Sequence, residues 1–137
     1  DSSTSRGLGD VYKRQGYKSG QELMDLKKNA YFVVVPSEWY ENNPMAIIES
    51  YCEGVPAIGS RIGGIPEIIN EGKTGYIFKP HNTTELTEKI AKASDLSAEV
   101  YQQMSDNAIS FAHKDMSKES YYKRLLPFYE QLLNNKK

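Results

Sequence analysis

The sequence predicts an α/β domain: a parallel sheet with flanking helices and a helical C-terminal half. Three observations lead there. Short, continuously apolar, β-branched runs such as Tyr31-Phe32-Val33-Val34-Val35 have the pattern of strands buried on both faces. Helical patterns with capping signals alternate with these runs, so the connections are right-handed crossovers within one sheet. At 137 residues the chain is one domain's length and can bury a core.

The first fifteen residues stand apart from that pattern. Asp1–Ser5 is polar and patternless, and Arg6–Gln15 has no amphipathic period. Ser5–Gln15, SRGLGDVYKRQ, resembles the translated end of a transposase-based sequencing-library adapter. The resemblance divides the chain into a non-native arm, 1–15, and a domain, 16–137, with native sequence beginning near Gly16. Val11 and Tyr12 fall where a native strand would precede that domain.

Within the domain, Ser19 and Glu22 read as a capping box for a helix reaching about Asn29. Tyr31–Val35 is the first strand, and Pro36 ends it. After the loop Pro36–Asn42, Asn43 suits an N-cap and Pro44 the first helical position, where no N–H is needed. This helix runs from Met45 to about Glu53, with Gly54 at its left-handed end. Val55–Gly59 is the second strand. The loop Ser60–Ile65 leads into one helical turn, Pro66–Asn70. Gly72 and Gly75 bracket the turn before a third strand, Tyr76–Phe78. Asn82 and Glu85 form a second capping box, for a helix over Thr83–Ser94. Ser97 caps another that reaches about Ala112. Ser117 starts the last, Lys118–Leu133, which Pro127 should kink or interrupt.

Composition narrows the function classes. With 17 Lys+Arg against 18 Asp+Glu, the net charge of −1 gives no electrostatic footprint for nucleic acid. A mean hydropathy of −0.62 and the lack of a long apolar run exclude a transmembrane helix. No basic-then-apolar leader opens the chain, and the expected location is cytoplasmic. One cysteine, Cys52, and two histidines, His81 and His113, offer neither a disulfide framework nor a zinc-ligand set. Cys52 is expected in the core, and neither histidine has a sequence neighbour that points to catalysis.

In a parallel sheet the loops after the strands gather at one edge, where ligands bind. Here they are Pro36–Asn43, Ser60–Ile65 and Lys79–Asn82. Glu41 and Glu49 flank a helix start, whose free N–H groups make an anion site. That order fits a ligand with a central anionic group and hydroxyl-rich ends. By spacing alone, a loop charge and a solvated helix carboxylate remain the plainer reading. Gly63-Gly64 serves either close backbone approach to a ligand or a turn needing positive φ. It is neither G-x-G-x-x-G nor a P-loop. Glu67 complements a helix N-terminus. Trp39 and Tyr40 are expected to pack against the sheet edge, and Tyr121, Tyr122, Phe128 and Tyr129 to pack along the last helix.

Val35–Ser50, Glu53–Ile58, Gly63–Glu67 and Gly72–Tyr76, in that order, resemble the nucleotide-binding half of family 4 retaining glycosyltransferases. These enzymes have the GT-B fold of two Rossmann-like domains. The resemblance runs from about Gly16 to the C-terminus. It implies a partial C-terminal domain, without the acceptor domain or the first strands of this one. The family's Glu, seven residues, Glu pattern implies that Glu41 is the catalytic glutamate contacting donor-sugar hydroxyls. Glu49 would contact the ribose, and the Met45 and Ala46 amides would hold the diphosphate. Asn43, Gly63 and Gly64 complete the implied donor site. Many members have Phe-Gly where Asn43-Pro44 stands here, and a proline brings no N–H, so one phosphate donor is lost.

The resemblance further implies a UDP- or GDP-sugar donor, no cofactor, no metal, and a sugar or lipid-linked acceptor held by the missing domain. The parent would be a retaining hexosyltransferase of bacterial cell-surface polysaccharide or glycolipid synthesis, cytoplasmic or peripheral to the inner face of the membrane. The fragment alone is expected to be inactive. The alternatives are a nucleotide-sugar epimerase of the same fold and a non-catalytic nucleotide-binding module, against which Glu41 and Glu49 argue.

Overall fold

A computed structural model of the chain describes residues 16–134, so the arm with Val11 and Tyr12 lies outside the described residues. In chain order the elements are α1 (Gly20–Lys28), β1 (Val33–Val35), α2 (Met45–Cys52), β2 (Ala57–Ser60), α3 (Ile65–Ile68), β3 (Gly75–Phe78), α4 (Thr83–Ser94), α5 (Ala98–Lys114) and α6 (Lys118–Asn134). The sheet is three-stranded and parallel, in the order β1-β2-β3. Its register pairs Val33 with Ala57 and Ala57 with Gly75. Every residue of β2 and β3 is buried.

Alternation along the strands divides the core into two layers. Ala57 and Ile77 face Ile47, Tyr51, Ile65, Ile68, Ala108 and Ala112 on one side. Ile58, Tyr76 and Phe78 face Ala93 and Met104 on the other. Gly59 is the point of closest approach in the first layer. A Cβ there would lie 2.6 Å from the side chains of both Ile65 and Ile69, so glycine lets α3 pack directly on β2. The buried Tyr51 hydroxyl donates to Thr74 Oγ1 at 2.9 Å, which also accepts from the Asn70 N–H at 2.9 Å. Burial pushes the Tyr51 phenol well above its usual range, and the Thr74 bond offsets only part of that.

The differences from the expected elements have local causes. β1 is not buried on both faces: Val34 is 41% exposed, and no other strand pairs with the second edge of β1 among the described residues. Ser19 makes no side-chain cap, and the Glu22 carboxylate, which would close the other half of the box, pairs with Lys18 one turn back instead. Asn43 does not cap α2 either. Pro44 takes the cap position at φ −70°, ψ 90°, and its carbonyl accepts from the Ile47 N–H at 3.0 Å. Asn82 caps α4 as expected, accepting from the Glu85 N–H at 3.0 Å. The Glu85 carboxylate, however, accepts from the Lys79 N–H at 2.9 Å, which leaves the box half closed.

α6 runs through Pro127 without interruption. Cys52 is exposed rather than core. The buried face of α2 is Ile47, Ser50 and Tyr51, and position 52 lies about 100° round the helix from Tyr51. The aromatic residues of α6 are also solvent-facing, since that helix has no buried residue. None of the helices is long and apolar enough to cross a membrane among the described residues.

Candidate functional site

The first two strand-end loops lock together at the carboxyl edge of the sheet. Ser60, the last residue of β2, is 1% exposed, and its hydroxyl donates to the Ser37 carbonyl at 2.6 Å. The Ser37 hydroxyl in turn donates to the Glu41 carboxylate. The Glu41 carbonyl accepts from the Gly64 N–H at 2.7 Å. Glu41 is therefore half-buried and held by both its backbone and its side chain.

The double glycine explains why this docking is possible. Gly63 has φ +56°, and a Cβ on it would lie 2.4 Å from the Glu41 carbonyl oxygen. A Cβ on Gly64 would lie 2.3 Å from the Asn42 carbonyl oxygen. Both functions of glycine are in use, but the backbone approached is the chain's own Glu41–Asn42 segment. Gly64→Ala is expected to push that segment off the second loop at a cost of roughly 1–3 kcal/mol. Thermal melting measures the loss, and faster hydrogen exchange at the residue 64 amide locates it.

α2 begins directly after this loop. Among the described residues the Met45 and Ala46 N–H groups have no acceptor, so they remain open at the positive end of the helix dipole. Asn43 is exposed and its amide lies 3.9 Å from Met45 Sδ. Beside the helix start is a cleft of about 320 Å³ lined by Asn43, Met45, Ile48, Met116, Tyr121 and Arg124, among others.

Glu49 lies on the next turn of α2, exposed, and accepts from the Lys27 ammonium of α1. Sequence reasoning gave Lys27 and Ser37 no role. Ser37 had a local signal, since it stands four residues before Glu41, whereas Lys27 is 22 residues from Glu49 and only the fold joins them. Lys27 is 16% exposed, and α1 has no buried residue, so this pair is a principal anchor of that helix. Lys27→Ala is expected to accelerate hydrogen exchange across α1 and leave β2 and β3 unchanged. Equal acceleration in the central strand contradicts that anchoring role.

The structure thus brings Glu41, Gly63 and Gly64 together, and sets Asn43, Met45 and Ala46 beside them at the helix start. Glu49 is on the same helix but engaged elsewhere. The third loop joins through His81, which sits at φ +60° with Nδ1 3.2 Å from Glu38 Oε1. That gives His81 the partner the sequence did not reveal. Trp39 and Tyr40 do not pack on the sheet edge: they are 82% and 87% exposed on the first loop. Glu67 stands in the first turn of α3, as expected. Among the described residues no group of three or more His, Cys, Asp or Glu is arranged to hold a metal ion.

The carboxylates and open amides lie at the carboxyl edge of a parallel α/β sheet, the edge at which such sheets bind their ligands. Comparison with known proteins gives the family. The profile of the glycosyl transferases group 1 matches residues 1–111, and the chain belongs to that family. The match begins at residue 1 and so takes in the arm as well.

Among relatives, a putative colanic acid biosynthesis glycosyltransferase, WcaL of Salmonella typhimurium, is 23% identical over 123 residues, covering 86% of this chain and 30% of that protein. A glycosyltransferase from Rickettsia africae superposes with a TM-score of 0.73 at 23% identity, over 87% of this chain and 32% of that one. Anabaena HepE, solved in complex with UDP-glucose, superposes with a TM-score of 0.66 at 19% identity, over 77% and 29% of the two chains. The fold is that of these glycosyltransferase structures. The chain spans 15% to 31% of the length of the curated relatives it matches.

Proposed function

We propose that this chain is the donor-binding part of a retaining glycosyltransferase, which moves a sugar from a UDP- or GDP-sugar to an acceptor hydroxyl. The observation that carries the reading is the fixed Glu41 carboxylate immediately before the open Met45 and Ala46 amides of α2. In this reading Glu41 accepts from hydroxyls of the donor sugar, the two amides hold the diphosphate, and Glu49 accepts from the ribose once Lys27 yields it. Asn43 and the 320 Å³ cleft leave room beside the phosphates. Gly63 and Gly64 act by holding Glu41 in place.

The chemistry assigned to these groups is electrostatic. As the glycosidic bond breaks, negative charge grows on the departing diphosphate, where preorganised N–H donors and a helix dipole act most strongly. One such donor is worth about 3 kcal/mol in a comparable site. Pro44 supplies no N–H, so Met45 and Ala46 carry that load between them. No cofactor and no protein-held metal enter the scheme, and the acceptor is a sugar or lipid-linked hydroxyl bound by another domain. The reading places the parent in bacterial surface polysaccharide or glycolipid synthesis, at or near the inner face of the membrane; the likeness to WcaL, named for colanic acid biosynthesis, supports the biosynthetic part of it. The reading also takes Gly16–Lys137 as the domain and Ser5–Gln15 as adapter-derived. Genomic DNA that encodes both without a junction overturns that division.

The test is product analysis with the protein extended to the length of its relatives, supplied with UDP- and GDP-sugars and mixed acceptors. A new glycoside with retained anomeric configuration is expected. An altered free nucleotide-sugar makes the protein an epimerase instead, and binding without turnover makes it a nucleotide-binding module. Gly16–Lys137 alone is expected to bind nucleotide weakly and to transfer nothing.

A further inference from the structure

We infer that Ser37 is a positioning residue for Glu41, and that Ser60 extends the device into the centre of the sheet. The inference rests on the donor-binding reading above. Ser60 ends the central strand, is 1% exposed, and pairs with Phe78 of β3, so its hydroxyl has a fixed origin. That hydroxyl holds the Ser37 carbonyl at 2.6 Å. The Ser37 hydroxyl then donates to Glu41 Oε1. An ionised carboxylate only accepts hydrogen bonds, through about four lone-pair sites on two oxygens. Ser37 occupies a site on Oε1 and leaves Oε2 to accept from a donor-sugar hydroxyl. The Glu41 side chain has several rotatable bonds, and the serine fixes them before the ligand arrives.

The backbone of Glu41 is held separately, by the Gly64 N–H at 2.7 Å. Removing the Ser37 hydroxyl therefore frees the carboxylate without releasing the loop, which separates positioning from mere loop stability. The experiment titrates the chain with UDP-glucose, UDP, GDP-glucose and GDP, following backbone amides by NMR. Ser37→Ala is expected to weaken nucleotide-sugar binding roughly 3- to 10-fold, the worth of one hydrogen bond. Affinity for the bare nucleotide and the Gly64 amide shift should not change. Ser37→Thr keeps the hydroxyl and should restore the affinity. In a Glu41→Gln background, Ser37→Ala should add little, because the two residues act as one unit. Equal weakening of nucleotide and nucleotide-sugar, or no weakening of either, overturns the positioning role and leaves the donor reading standing. Failure of the unsubstituted chain to bind any of the four ligands overturns both.

Discussion

Glu41→Gln, in the protein extended to the length of its relatives, will reduce sugar transfer by about 10- to 100-fold, the worth of hydrogen bonds to a charged acceptor. Binding of the free nucleotide will change little. The substitution keeps the shape of the side chain and removes its charge, and the backbone anchor through Gly64 is untouched. The loss therefore falls on contacts to the sugar. Glu49→Gln should behave differently, weakening donor and free nucleotide alike, because the ribose is common to both. It also releases Lys27, so α1 should loosen in the same variant. Steady-state transfer kinetics and calorimetric titration with nucleotide separate the two cases. Equal effects of the two substitutions on nucleotide affinity would falsify the assigned division of labour.

Gly75→Ala will have the largest effect on stability. Gly75 opens β3 and pairs with Ala57 in the central strand. A Cβ there would lie 1.8 Å from the Ala57 carbonyl oxygen and 2.8 Å from the carbonyl carbon. Both are backbone atoms of a strand bonded on its other side to β1, so neither moves freely. Overpacking of about 1–3 kcal/mol adds to ladder bonds lost at about 1 kcal/mol each. At about 3–5 °C per kcal/mol for a domain of this size, a total of roughly 3 kcal/mol lowers the melting midpoint by about 9–15 °C. Circular dichroism melting reads this directly. A midpoint within a few degrees of the unsubstituted chain would show that β3 starts later than Gly75.

Much of this arrangement was legible from the sequence, and the failures share a cause. The strands at Val55–Gly59 and Tyr76–Phe78, and the helix over Thr83–Ser94, were marked by apolar runs between glycines and caps, all local signals. Where two local partners competed, the pattern did not reveal the winner. Lys18 drew Glu22 away from Ser19, and Pro44 displaced Asn43 from the cap. Periodicity showed that α6 has aromatic residues but not what lies opposite them, and so mistook Tyr121 and Phe128 for packed residues. Gly63-Gly64 signalled a close approach without naming its partner, which is the Glu41–Asn42 backbone. Spacing set Glu41 and Glu49 on either side of the α2 start but left the plainer reading standing, and the glycosyltransferase resemblance is what singled them out. Lys27 was missed because only tertiary folding brings it to Glu49.

The identity of strand order and chain order bears on synthesis. As the polypeptide leaves the ribosome, β2 meets a finished β1, and β3 meets a finished β2, so among the described strands none waits for a later one to be inserted between its neighbours. Sheet registration is thus vectorial. Sealing is not: Met104 in one core layer and Ala108 and Ala112 in the other all come from α5, well after the last strand. A nascent chain that has completed β3 has one face of its sheet largely covered by α2 and α3, while the Ile58, Tyr76 and Phe78 face is still open to water and to other chains. The interval between emergence of Phe78 and of Ala112 is when this domain most needs a chaperone.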